Sequence, residues 1–204
     1  IVHDELAEIV EKYGDERRTQ IVAASGDVTD EDLIARENVV VTITSTGYAK
    51  RTKVDAYKAQ KRGGKGVRGA ELKQDDIVKN FFVCSTHDWI LFFTNFGRVY
   101  RLKAYELPEA GRTARGQHVA NLLEFQPEEK IAQVIQIQSY EDAPYLVLAT
   151  KQGRVKKSRL TDYESARSAG LIAINLNEGD ALIGASLVDE GDDILLTSEQ
   201  GQAI

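Results

Sequence analysis

Short runs of β-branched, aromatic and leucine residues recur along the chain, and each leads into a turn that contains a glycine. The runs are VVVTIT at 39–44, ILFFT at 90–94, LVLAT at 146–150 and ILLTS at 194–198. The turn glycines are Gly47, Gly97, Gly153 and Gly201, at spacings of 50, 56 and 48 residues. An apolar run that ends in a glycine turn is typical of a β-hairpin. The pattern therefore predicts four hairpins within an internal repeat.

Two further features recur with the hairpins. A second glycine follows at Gly66, Gly116 and Gly170, 17 to 19 residues after the first. Another apolar run comes next, as DIVKNFFVCS, KIAQVIQIQ and ALIGASLV. A strand-rich repeat of about 40–50 residues is typical of a propeller blade with about four strands. We therefore expect a mostly β, propeller-like fold with about three complete blades and the start of a fourth.

Before the first hairpin the pattern is helical. Val2, Leu6, Ile9 and Tyr13 recur at spacings of 4, 3 and 4 residues, which predicts a helix over 1–13 that stops at Gly14. Residues 23–37 are acidic and rich in turn formers, so we interpret them as a linker between a tail, 1–22, and the β region, 38–204. Because the sequence contains no Met and begins inside a helical pattern, we expect a piece of a longer polypeptide.

Composition narrows the function classes only slightly. No apolar run approaches the roughly 18 residues of a membrane span, so we expect no membrane partner. Cys84 is the only cysteine, which excludes an internal disulfide and favours a reducing, cytoplasmic setting. The three histidines, His3, His87 and His118, are scattered, and no metal-ligand spacing occurs. We therefore predict no metal site and assign no catalytic residue.

The net charge of −6 conceals a strong local contrast. Residues 1–37 hold 11 acidic and 4 basic residues, whereas residues 48–73 hold 9 basic and 2 acidic ones. Because local charge sets the local field, the basic segment can attract an anionic partner despite the acidic average.

Each complete repeat also carries a pair of cations, four and six residues after the hairpin glycine. The pairs are Arg51 and Lys53, Arg101 and Lys103, and Lys157 and Arg159. Residues two apart on a strand share a face, so the repeat predicts a cationic rim that could bind nucleic acid. The alternative is that these are solvated cations that protect strand edges from aggregation. The residues two positions after each hairpin glycine are apolar, yet they nominally share the face of the cations. A bulge, or a strand that twists from core to surface, would be needed to place both on one face.

Several conspicuous side chains have simpler interpretations. His87 and Asp88 are adjacent in a hairpin loop, which favours a turn role over a catalytic one. Cys84 and Trp89 are interpreted as packing residues. The pair Glu128 and Glu129 is interpreted as part of a solvated loop.

A glycine-rich loop lies between the first hairpin and the next strand. Gly64, Gly66 and Gly69 form G-x-G-x-x-G, but no buried strand precedes them and no helix follows, so a dinucleotide site is not expected. A Walker A loop is also excluded, since no Gly-Lys-Ser/Thr follows at the required spacing. Glycines with neighbouring cations still suit a phosphate backbone, and the alternative is an ordinary loop between strands.

The same loop resembles a known signature. Gln60, Lys61, Arg62, Gly63, Gly64, Lys65 and Gly66 spell QKRGGKG, which resembles the gyrase A box, Q-(R/K)-R-G-G-(R/K)-G, of the DNA gyrase A family. The flanking segments, from YGDERRTQI to LPEAGRTARG, resemble the same family, so the likeness covers essentially the whole chain.

The resemblance implies a fold and a function. Residues 1–22 would be the tail of the breakage-reunion domain, and residues 38–204 part of a C-terminal β-pinwheel that wraps double-stranded DNA through the box and the basic rim. It implies protein partners, namely the gyrase B protein and a second copy of gyrase A in an A2B2 complex. It also implies ATP and Mg²⁺ for the whole enzyme, with no cofactor in this segment, and a cytoplasmic, nucleoid-associated location.

Three other functions remain open at this point. The A protein of topoisomerase IV has a similar domain, but it lacks an intact box, so QKRGGKG argues against it. A propeller that serves as a protein-interaction platform would not need repeated cations. An enzyme with its active site in the propeller channel would need an acid, base or metal constellation, and the sequence suggests none.

Overall fold

The computed structural model describes residues 2–15, 19, 30–57, 76–165 and 169–204. The chain divides into a first unit, residues 1–34, and a second unit, residues 35–204. The first unit contains helix α1, Val2–Tyr13, and one turn of 3₁₀ helix, Asp30–Leu33. The predicted helix is therefore confirmed, and its apolar stripe is exposed within this unit.

The described part of the second unit contains eleven strands in three sheets. Their bounds are β1 Asn38–Thr44, β2 Tyr48–Lys53, β3 Val78–Ser85, β4 Trp89–Thr94, β5 Arg98–Lys103, β6 Gln117–His118, β7 Ile131–Ile137, β8 Tyr145–Thr150, β9 Val155–Arg159, β10 Leu171–Ile172 and β11 Leu182–Val188. Three of the predicted hairpins and all three of the following apolar strands are thereby confirmed.

The fourth predicted hairpin is present as a short antiparallel pair around Gly201. Residues 194–198 pair with the chain after Gly201 through the Thr197 to Ala203 bridge, reciprocal backbone hydrogen bonds between Leu196 and Ile204, and a hydrogen bond from the Ser198 N–H to the Gln202 carbonyl. The predicted start of a fourth repeat is present in that turn.

The sheets exchange strands between repeats. The first sheet has the order β3-β1-β2-β6, the second β10-β5-β4-β7 and the third β11-β8-β9. Strand β6 lies in the long loop of the second repeat but pairs with β2 of the first sheet. Strand β10 lies in the long loop of the third repeat but pairs with β5 of the second sheet. The spacing of the repeat predicts about four strands per blade, and the structure shows that the fourth is donated by a neighbour.

Two apolar cores lie between successive sheets, and alternate side chains of β4 point into each. Ile90 and Phe92 pack in the core shared with the first sheet, together with Val41 of β1. Leu91 and Phe93 pack in the core shared with the third sheet. Because the second sheet is buried on both faces, its central strand is a continuous apolar run rather than an alternating one. Cys84 lies in the first core, which confirms its predicted packing role.

In each repeat, a carboxylate just before the strand that follows the hairpin (β3, β7 or β11) ties the hairpin turn to that strand. Asp76 accepts hydrogen bonds from Ser45 Oγ at 3.0 Å and from Thr46 Oγ1 at 2.7 Å. Asp180 accepts from the backbone N–H of Gln152 at 2.9 Å. We call this recurring contact the turn clamp.

The second turn clamp corrects an expectation. Glu129 was expected in a solvated loop, but it is buried and accepts hydrogen bonds from Thr94 Oγ1 and, at 2.8 Å, from Tyr100 Oη. A buried carboxylate is stable when hydroxyl groups satisfy its oxygens. The sequence does not show that these two hydroxyls, 29 and 35 residues away, converge on it.

The first turn clamp predicts an acid-sensitive contribution to stability. Burial raises the pKa of Asp76, but hydrogen bonds from Thr46, Thr44 and Ser45 outweigh it and lower the pKa to about 2. Since the folded pKa lies below the unfolded one, this stabilisation is complete above about pH 4 and is lost as the pH falls toward 2. We expect Asp76→Asn to lower the free energy of unfolding at pH 7 by about 1–3 kcal/mol. Urea melts across this pH range measure both effects, and a variant with unchanged stability and pH dependence would contradict the turn clamp.

A second prediction separates packing from backbone strain at two glycines. Gly116 has φ +85° and a Cβ there would lie 2.4 Å from the Ala49 carbonyl oxygen, whereas Gly153 has φ +80° with nothing within 4 Å. Alanine in this left-handed region costs about 1–2 kcal/mol at either position. Only Gly116→Ala must also displace the backbone of β2. Thermal melts should therefore show a clearly larger loss for Gly116→Ala than for Gly153→Ala, and equal losses would rule out the close crossing.

Candidate nucleic-acid interface

Strand register places each predicted rim cation opposite a residue of the first hairpin strand. Lys103 pairs across the ladder with Trp89, and Arg159 pairs with Tyr145. The matching position in the first sheet pairs Lys53 with Val39. Directly paired residues point to the same face of a sheet. In the second and third sheets, therefore, the cation at this position lies beside an aromatic ring.

Trp89 gathers both cations of the second sheet. The Arg101 guanidinium lies 4.3 Å from the Trp89 ring centroid, and the Lys103 ammonium lies 4.1 Å from it. Arg101 also donates a hydrogen bond to Tyr140 Oη at 3.3 Å, and Lys103 Nζ donates to the His87 carbonyl at 3.0 Å. Contact with an aromatic face orients a cation without neutralising it. The predicted pair is thus brought together by Trp89, which also packs against the second core, as predicted.

The third sheet repeats this arrangement in a more open form. The Lys157 ammonium lies 4.1 Å from the Tyr145 ring centroid, and Lys157 and Arg159 are both exposed. Together with Ser158 and Asp162, these three residues line an open surface depression. We call the Trp89 and Tyr145 arrangements the aromatic cation clusters.

The first sheet uses its cations differently. Arg51 Nε donates to the Leu107 carbonyl at 2.8 Å, and its guanidinium forms an ion pair with Glu109 at 3.1 Å. Lys53 forms an ion pair with Glu37 at 3.4 Å. The structure therefore places these two predicted rim cations in contacts with the chain's own carbonyls and carboxylates.

In the first sheet, the apparent conflict between apolar and cationic residues on one face is resolved by a gradual change in exposure. Along β2, Ala49 is fully buried, the Arg51 side chain is 17% exposed and the Lys53 side chain is 52% exposed. The strand thus runs from the core to the surface within six residues. An apolar residue and two cations can therefore share one nominal face.

The loop that carries the predicted box lies outside the described residues. This applies to all seven of its members, Gln60, Lys61, Arg62, Gly63, Gly64, Lys65 and Gly66. Their assignment as DNA contacts therefore stays a prediction.

One basic residue of the first hairpin has a role that sequence analysis did not find. Lys50 was counted only as one of the cations of residues 48–73, but its side chain is buried. Burial lowers the pKa of its ammonium. Its position on β2, three residues after the hairpin glycine, matches that of the fully buried Tyr100 on β5. Alignment of the first two repeats, which places Lys50 at the position of Tyr100, is the signal that could have indicated a buried side chain at residue 50.

Two further features concern the described residues. Within those ranges, no group of three or more His, Cys, Asp or Glu side chains is arranged to hold a metal ion. None of the described helices is long and apolar enough to cross a membrane. His87 and Asp88 lie in the turn between β3 and β4, where Asp88 Oδ2 accepts from the Ser85 N–H at 2.9 Å, as expected for a turn role.

Known proteins resemble this chain in sequence. The family described as DNA gyrase C-terminal domain, beta-propeller, matches residues 38–85, 88–138 and 144–189. The DNA gyrase A protein of Mycolicibacterium smegmatis is 74% identical over the whole chain, and that of Mycobacterium tuberculosis H37Rv is 73% identical. The corresponding protein of Streptomyces coelicolor is 64% identical. The chain spans 24% of the length of each of these relatives.

Solved structures resemble it in fold. A C-terminal domain of DNA topoisomerase IV aligns with a TM-score of 0.72 and 32% identity over 84% of this chain and 52% of that one. A DNA gyrase A C-terminal domain aligns with a TM-score of 0.61 and 30% identity over 82% of this chain and 53% of that one. The three segments matched in sequence each supply one hairpin and its third strand. The chain belongs to the DNA gyrase A C-terminal domain family of β-propeller domains.

Proposed function

We propose that this chain is a DNA-binding and DNA-wrapping part of a DNA gyrase A protein and supports the ATP-dependent introduction of negative supercoils. The observation that carries the proposal is the recurrence of an aromatic cation cluster at the same position of successive sheets. Trp89 holds Arg101 and Lys103, and Tyr145 holds Lys157.

This recurrence suits the phosphate backbone of a duplex. Contacts from Arg and Lys to phosphates are independent of sequence, and their number sets the salt dependence of affinity. Bending a duplex tightly costs several kcal/mol, which many phosphate contacts along a curved surface can offset. Cations that an aromatic ring already orients lose less side-chain entropy on binding. Because the aromatic cation cluster recurs from one sheet to the next, the phosphate contacts would be regularly spaced along the protein surface.

The box extends this proposal to residues that the structure does not describe. Glycines 63, 64 and 66 would allow close approach of the backbone to a phosphate, and Lys61, Arg62 and Lys65 would supply charge. The full match to the seven-residue motif supports this assignment. We propose that the box contacts the wrapped DNA and is needed to hold the wrap.

The remaining parts of the reaction would lie elsewhere in the full-length protein. We propose that the protein acts as a dimer of gyrase A proteins with two gyrase B proteins, and that ATP and Mg²⁺ are used outside this segment. The support is the 73–74% identity to DNA gyrase A proteins, of which this chain spans 24%.

The A protein of topoisomerase IV is the second candidate, favoured by the TM-score of 0.72 to a C-terminal domain of that enzyme. The complete QKRGGKG motif favours gyrase instead. Supercoiling of relaxed plasmid by the full-length protein with its gyrase B partner separates the two, since topoisomerase IV would only relax or decatenate DNA.

The single tryptophan offers a direct test of duplex binding at the second sheet. Trp89 is the only Trp in the chain, so its emission reports on the cluster that holds Arg101 and Lys103. Titration with a duplex should change this emission. Arg101→Gln/Lys103→Gln should weaken affinity and reduce the slope of log affinity against log salt by about two, because each phosphate contact contributes about 0.9.

The matched control removes two positive charges beside the hairpin turns instead. Lys130 and Lys151 are exposed there, so Lys130→Gln/Lys151→Gln should change the salt slope much less. Unchanged Trp89 emission and no duplex affinity at low salt, in protein shown to be folded by circular dichroism, would contradict the proposed function and favour an interaction platform.

A further inference from the structure

The second repeat contains a loop that corresponds in position to the box. Gly116 follows Gly97 by 19 residues, as Gly66 follows Gly47. In this register the sequence AGRTARG at 110–116 matches QKRGGKG at 60–66. A cation precedes the last glycine by one position in both, and an arginine precedes it by four positions. We call residues 110–116 the second-repeat loop, and unlike the box it is fully described.

A buried lysine of the preceding sheet holds the second-repeat loop. Lys50 Nζ donates to the carbonyls of Gly111 at 3.1 Å, Arg112 at 2.6 Å and Ala114 at 2.8 Å. An ammonium has three protons, so these acceptors satisfy it completely. Lys50 is only 1% exposed, and a buried charge is tolerated only with such partners. The loop and the lysine therefore fix each other.

The ends of the loop are fixed to the same strand. The Ala110 N–H donates to the Arg51 carbonyl at 3.0 Å. Gly116 crosses β2 so closely that a Cβ would lie 2.4 Å from the Ala49 carbonyl oxygen. The segment between these points is thus held at both ends and in the middle.

Two guanidinium groups lie on this fixed loop. The Arg115 guanidinium stacks 3.5 Å from the centroid of the Tyr48 ring, and Arg112 Nη1 donates to the Ala56 carbonyl at 3.3 Å. Neither forms an ion pair with a carboxylate among the described residues, and the Nε of each is buried there without a hydrogen-bond partner, which leaves the terminal Nη groups to meet a ligand. The anchoring contacts of Lys50 and Gly116 explain how sheets join, but they do not require two uncompensated positive charges.

We propose that the second-repeat loop is a second DNA-backbone site, in which Arg112 and Arg115 each contact a phosphate, and that Lys50 is a positioning residue for them. The inference rests on the proposed function of duplex binding. A stacked arginine presents a planar edge of N–H donors, which suits bidentate contact with a phosphate. Because the loop is already fixed, little entropy is lost when DNA binds.

The salt dependence of duplex affinity tests the site. Arg112→Gln/Arg115→Gln should weaken binding at low salt and reduce the salt slope by about two. The control Lys130→Gln/Lys151→Gln removes the same charge and should reduce the slope much less. A double arginine variant that binds like this control would overturn the inference.

The outcomes also separate this inference from the function it rests on. If Arg101→Gln/Lys103→Gln weakens binding but Arg112→Gln/Arg115→Gln does not, the proposed function stands and the second site fails. If the unaltered protein has no salt-dependent duplex affinity, both fail.

Lys50→Met tests positioning separately from surface charge. This variant removes no exposed cation, so a purely structural role predicts an unchanged salt slope in protein that remains folded. The inference predicts a reduced slope at a temperature at which circular dichroism shows the variant to be folded. A folded Lys50→Met protein with an unchanged slope would overturn the positioning role, and the double arginine variant tests the site itself if Lys50→Met does not fold.

Discussion

The loops that follow the second and third hairpins each lie across the second strand of the preceding hairpin, and these crossings hold successive repeats together. At the first junction Gly116 passes over Ala49, and Lys50 binds three carbonyls of the crossing loop. At the second, Gly170 lies against the ring of Tyr100, where a Cβ would be 2.6 Å away. Because strands β6 and β10 are delivered by these loops, strand exchange depends on the same contacts. The two apolar cores lie between the sheets that these loops join.

Polar contacts set the position of the hairpins, and the hairpins set the position of the cations. The turn clamps of Asp76, Glu129 and Asp180 attach each turn to the start of the third strand. With the turn fixed, register places the last cation of each second strand opposite the first residue of the hairpin. That residue is Trp89 in the second sheet and Tyr145 in the third, which makes the aromatic cation clusters.

Local patterns in the sequence were sufficient for the elements that depend on neighbouring residues. Helix α1, three hairpins with their glycine turns and the repeat itself followed from periodicity and turn chemistry. Strand exchange could not be predicted, because β6 and β10 are two residues long and are defined by their partner sheet. The burial of Glu129 and Lys50 was missed for a similar reason, since most of their partners lie 29 to 64 residues away. The repeat was sufficient to predict six rim cations, whose role stays a prediction, but their division into aromatic clusters and ion pairs depends on cross-strand register.

End-to-end energy transfer on a labelled duplex tests the central claim of wrapping most directly. A duplex of about 150 bp is one persistence length, so its ends remain apart unless a protein bends it. We predict that the protein brings the ends together at low salt, and that Lys61→Ala/Arg62→Ala/Lys65→Ala still binds but no longer does so. Binding of the unaltered protein with no approach of the DNA ends would contradict the account.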